Sequence, residues 1–73
     1  MDKKAKLLDI LTTILGQEVN ETASNENLEV WDSLSHIEII VTVEEEFGIK
    51  IPQEKISEVT NFKNLLATIE SLC

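Results

Sequence analysis

Asp32, Ser33 and His36, in the run "EVWDSLSHIE", are the residues whose types and spacing bear on chemistry. A serine three residues before a histidine on a helix can meet it, so a hydroxyl nucleophile with a neighbouring base is the first possibility. It would need Asp32 to orient the ring from the far side and a set of oxyanion donors, and no second motif supplies them. A second role is structural: Asp32 and Ser33 are both good helix caps, and losing such a cap costs about 1 kcal/mol. The third is attachment. A helix start offers unpaired backbone N–H groups and the positive end of the dipole, which stabilise a phosphodiester on an exposed hydroxyl. Capping and attachment fit these residues better than catalysis.

Positioning that serine falls to helices. Leu7, Leu8, Leu11, Ile14 and Leu15 repeat at helical spacing with Ile10 at the edge, and Gly16 predicts the stop. A second helix is predicted from about Ser33 to Phe47, stopped by Gly48, with Ile37, Ile39, Ile40, Val43 and Phe47 as its apolar face. The alternation in "GIKIP" directs Ile49 and Ile51 inward, and Pro52 suits the first position of a short helix carrying Ile56 and Val59. Thr60 suits the cap of a last helix bearing Phe62, Leu65, Leu66 and Ile69. Three main helices and a short one, without strands, make a small all-α four-helix bundle over a single domain, 1–73. The long stretch "QEVNETASNENLEVWD" lacks periodicity. We expect it to be an ordered loop pinned by Val19, Leu28, Val30 and Trp31, and it lacks the glycine and glutamate spacing of a calcium loop.

Composition excludes other classes. Seventy-three residues leave little room for an enclosed active site. Fourteen acids against six lysines, with no arginine, give a formal charge of −8. That argues against nucleic acid and for basic protein partners. Cys73 has no partner for a disulfide or metal site and, as the last residue, lacks prenylation spacing. No apolar run reaches membrane-spanning length, and the opening lacks a signal-peptide cleavage site, so the expectation is a soluble, cytoplasmic monomer. On a helical wheel Leu34, Glu38, Val41 and Glu45 lie within about 60° of one another, a mixed acidic and apolar stripe beginning beside Ser33.

The segment "WDSLSHIEIIVTVEEEFGIKIP" resembles the centre of acyl carrier proteins. Asp32, Ser33 and Leu34 match the Asp-Ser-Leu motif, Glu44, Glu45, Glu46 and Phe47 the end of the helix after it, and Ile49, Ile51 and Pro52 the link beyond. "TNFKNLLATI" resembles the family's last helix. The resemblance implies a bundle of acyl-carrier type and a carrier, not an enzyme. Ser33 would bear 4'-phosphopantetheine, transferred from coenzyme A by a magnesium-dependent phosphopantetheinyl transferase, and the arm's thiol would hold acyl groups as thioesters. Acyl-loading and acyl-transfer enzymes with basic patches would dock on Leu34, Glu38, Val41 and Glu45. The positions matching the family's acyl pocket are Val43, Ile51, Ile56, Val59 and Leu65, whose bulk predicts shelter for short or polar groups at most. His36 is expected to be a partly exposed neighbour of the arm, and Trp31 a loop anchor. Val30 and Trp31 stand where fatty-acid carriers often read Gly-Ala and peptidyl carriers more often show Gly-Gly. That departure resembles stand-alone carriers of specialised pathways, polyketide-like or surface-glycan acylation, and leaves an aminoacyl load open. The competing class is an unmodified acidic adaptor for a basic partner.

Overall fold

Helix stops and caps set the frame. The computed structural model describes residues 2–72; Met1 and Cys73 lie outside the described residues, and with Cys73 the expectation about its thiol. α1 (Lys3–Leu15) is capped by Asp2, whose Oδ1 accepts the Lys4 N–H at 3.0 Å, and α2 (Ser33–Phe47) is capped by Asp32. Gly16 and Gly48 end them at φ 70° and 65°, the left-handed conformation that a residue without Cβ adopts at no steric cost. The short α3 (Gln53–Ile56) and α4 (Phe62–Leu72) complete the set, and no strand occurs among the described residues.

The core forms where the apolar faces converge. α1 packs against both α2 and α4, and Leu7, Leu11, Ile39, Val43, Leu65 and Ile69 are fully buried between them. Ile10 is buried and belongs to the α1 core face, with Leu8 and Ile14 at its margins. Lys6 fastens the far end of α2, donating to the Glu46 carbonyl at 2.9 Å with its ammonium 5.1 Å from the Phe47 ring centre.

Four local expectations need correction. Ile37 is 55% exposed, because it sits about 60° around the helix from Ile40, beyond the edge of the buried face. Val30 is exposed as well; Ala23 and Trp31, both buried, anchor the loop, with Val19 and Leu28 partly buried behind them. Asn61, not Thr60, caps α4: its Oδ1 accepts the Asn64 N–H at 2.8 Å. Pro52 precedes α3 in an extended conformation and is not its first helical residue.

The loop between α1 and α2 is ordered by a contact that periodicity does not reveal. Asn25 N–H donates to Thr60 O at 2.9 Å and Phe62 N–H to Ala23 O at 2.8 Å, around an isolated antiparallel bridge between Ser24 and Asn61. The loop is thereby tied to the link before α4. At the other end of α2, the Glu44 carboxylate accepts the Ile51 N–H at 2.8 Å and holds the segment leading to α3. These ties bring the end of the loop, the start of α2 and the α3–α4 link together around Ser33.

Candidate functional site

Ser33 is exposed in the first position of α2. Asp32 beside it is committed to the backbone: its Oδ1 accepts the Ser35 N–H at 2.9 Å, and its carbonyl accepts the His36 N–H at 2.8 Å. The serine hydroxyl is therefore carried on a fixed turn while its neighbour does the capping. The Ser35 backbone N–H, bonded to the Asp32 carboxylate, holds that carboxyl below its ordinary value, with desolvation opposing in part. A depressed folded-state pKa stabilises the fold above the unfolded value, and that contribution is lost as pH falls through the folded one. Asp32→Asn keeps a capping oxygen but no charge. Its melting temperature should lie below that of the wild type at neutral pH, and the gap should close on acidification. A gap independent of pH would show that the carboxylate charge contributes nothing.

His36 is spent on structure. Trp31 donates its indole N–H to His36 Nδ1 at 3.0 Å, and His36 Nε2 lies 2.7 Å from Ile56 O. Indole is only a donor and a carbonyl only an acceptor, so the pattern assigns the tautomer in which Nδ1 accepts and Nε2 donates. Both ring nitrogens are occupied by groups other than Ser33, and the Asp32 carboxylate faces the backbone. The arrangement needed for nucleophilic catalysis is thus not assembled. His36 instead ties the loop, α2 and the end of α3 together, a role that sequence spacing could not show because its partners lie 5 and 20 residues away on other elements. Among the described residues no cluster of His, Cys, Asp or Glu is arranged to hold a metal ion.

Two surfaces flank Ser33. On one side, Leu34 is 76% and Val41 47% exposed, Glu38 and Glu45 are exposed, and Ile37, absent from the expected stripe, widens the apolar ridge. Beneath the ridge runs a surface groove of about 390 Å³ lined in part by Ile37, Ile40, Val41, Ile51 and Ile56. On the other side lies a cleft of about 330 Å³ lined by Asn25, Trp31, Asp32, Ser33, His36 and Thr60. Of the expected acyl-pocket residues, Val43, Ile51, Val59 and Leu65 are buried in the packed core, and only Ile56 is partly exposed, at the rim of the groove.

A family model described as a phosphopantetheine attachment site matches residues 5–69. The chain belongs to that family, as an acyl carrier protein relative. This carrier is 30% identical to the acyl carrier protein of Helicobacter acinonychis, over 88% of its own length and 91% of that protein. It is 28% identical to the D-alanyl carrier protein of Leuconostoc mesenteroides, over 99% and 97% of the two chains. Identity to acyl carrier protein 1, chloroplastic, of spinach is 37%, over 80% of this chain, which spans only 43% of the spinach protein's length. The solution structure of holo acyl carrier protein from Geobacter metallireducens superposes with a TM-score of 0.83 at 23% identity, covering 99% of this chain and 86% of that one, and shows the same fold. The crystal structure of the Thermotoga maritima acyl carrier protein gives 0.76 at 27% identity, covering 93% and 82%. The carrier bears a covalently attached 4'-phosphopantetheine, and an exposed hydroxyl on a rigid helix start, beside a cleft, fits such a group. Carrier proteins in general interact with a phosphopantetheinyl transferase and with acyl-handling enzymes. No helix among the described residues is long and apolar enough to cross a membrane.

Proposed function

We propose that Ser33 Oγ is the attachment point and that the protein presents small acyl or aminoacyl groups to partner enzymes. The observation that carries this reading is the placement of Ser33: an exposed hydroxyl at the first position of α2, within Asp-Ser-Leu, next to a residue fully engaged in capping. When bound, the arm supplies a terminal thiol, and thioester chemistry resides there. The chain's own contribution is position. Asp32 and Leu34 flank the hydroxyl, Asp32 fixing the turn and Leu34 opening the docking ridge. Glu38 and Glu45 draw in basic patches on client enzymes, while Leu34, Ile37 and Val41 supply the apolar contact once docked. The carrier acts in the cytoplasm as a monomer and performs no chemistry of its own, in keeping with the occupied nitrogens of His36.

Core packing supports a small cargo. Val43, Val59 and Leu65 are at most 1% exposed and fill the region that a sequestered chain would have to enter. The near end-to-end match to a D-alanyl carrier protein supports a small, polar load, of the kind specialised acylation pathways use. The test is to load the modified protein with acetyl, D-alanyl and long saturated acyl groups, confirm each by mass and by release with neutral hydroxylamine, and compare melting temperatures. We expect labile loading with shifts below about 4 °C for every group, since 1 kcal/mol moves a domain of this size by about 4–8 °C. A larger rise with the long chain would overturn the cargo assignment, and failure to retain any hydroxylamine-labile group would overturn the carrier reading.

A further inference from the structure

The cleft lined by Asn25, Trp31, Asp32, Ser33, His36 and Thr60 is built from parts already held in place. Trp31 is 2% exposed and bonded to His36, whose ring is anchored to the Ile56 carbonyl. The two rings lie 6.2 Å apart at 30°, the partly exposed His36 lining the cleft with the buried Trp31 set behind it. Asn25 and Thr60, which line the same cleft, are joined through the main chain at 2.9 Å, an amide and a hydroxyl on a fixed backbone. A site whose walls are set before a ligand arrives avoids the cost of ordering them. Its chemistry is mixed, with the partly exposed imidazole ring of His36 and the hydrogen-bonding side chains of Asn25 and Thr60 on one lining.

Resting on the assignment of Ser33 above, we infer that this cleft seats the proximal part of the pantetheine arm. Beyond its phosphodiester the arm carries a carbon with two methyl groups, then a hydroxyl, then the first of two amides. The methyl groups match the His36 ring and the edge of Trp31 behind it, and the hydroxyl and amide match Thr60 and Asn25. At about 330 Å³ the cleft is at the lower end of the range of small-molecule sites. That suffices for the proximal arm and not for the arm with a long acyl chain. Geometry adds a consequence for delivery. His36 lies about 160° around α2 from Leu34, so the cleft and the docking ridge occupy opposite sides of the helix. A client bound to the ridge leaves the cleft uncovered. The arm rests on one face while recognition uses the other, and delivery requires the arm to swing out past Ser33.

The experiment compares unmodified and modified full-length protein by NMR, with intact mass confirming the transfer. We expect through-space contacts between the pantetheine methyl protons and the Trp31 and His36 rings and Thr60, with shifts in the Asn25 side-chain amide. Thr60→Val together with Asn25→Ala should still be modified, and should lose those contacts. If mass is gained and shift changes stay within residues 32–35, the arm lies in solvent and the cleft assignment fails while Ser33 stands. Contacts to Ile37, Val41 or Ile56 would put the arm in the opposite groove, and would overturn it equally. If no mass is gained, the assignment of Ser33 falls, and the cleft assignment with it.

Discussion

Reversing Glu38 and Glu45 to lysine should slow transfer from the loaded carrier to a client enzyme by about tenfold or more at low salt, with the fold intact. Both side chains are exposed, and neither joins a salt bridge among the described residues, where the pairs are Lys4–Glu21 and Lys6–Glu46. Neither side chain makes a hydrogen bond among the described residues, and a lysine at position 45, near the C-terminal end of α2, is favoured by the helix dipole. Each reversal replaces attraction to a basic patch by repulsion, so the loss falls on encounter. Raising salt to physiological strength, where the screening length is about 8 Å, should slow the wild type more than the variant. The measurement is kcat/KM at several ionic strengths with circular dichroism alongside. Equal rates with equal salt dependence would make the stripe an ordinary solvated helix face and move recognition to the loop before Ser33.

Trp31→Ala should remove much of the stability of the domain. Truncating a buried tryptophan costs about 3–5 kcal/mol, and a chain of this length is stable by roughly 4–11 kcal/mol. The substitution also leaves His36 Nδ1 without its donor, loosening the tie that runs through His36 to the end of α3. Trp31→Phe keeps most of the bulk and loses the hydrogen bond, so its urea midpoint should fall between the other two. An alanine variant within about 1 kcal/mol of the wild type would show that the loop is held by the Ala23–Phe62 and Asn25–Thr60 bonds alone.

These two experiments probe parts of the molecule that differ in how well the sequence announces them. Helix α2 runs from Ser33 to Phe47 as its periodicity and its terminal glycine predict, because both signals are local. The exposed hydroxyl and the acidic stripe follow from the same register. Ile37 departs from the expected apolar face because an edge position on a helix is decided by what packs beside it, and α3 is only four residues long. The Asn61 cap turned on one residue between two acceptable capping types. The Ser24–Asn61 bridge and the Trp31–His36–Ile56 connection join elements distant in sequence, and no local pattern encodes either. The cleft beside Ser33 is a product of those two non-local ties, which is why it was not legible beforehand.

On the proposed function, one hydroxyl, Ser33 Oγ, carries the prosthetic group. The most direct test is to incubate the protein with coenzyme A and a broad-specificity phosphopantetheinyl transferase, digest it, and locate the added mass by fragmentation. We expect a single phosphopantetheine, entirely on Ser33, and a Ser33→Ala variant that keeps its helical signal and gains no mass. Modification on Ser35, or on any other residue of the variant, or a wild type that remains unmodified, would contradict it.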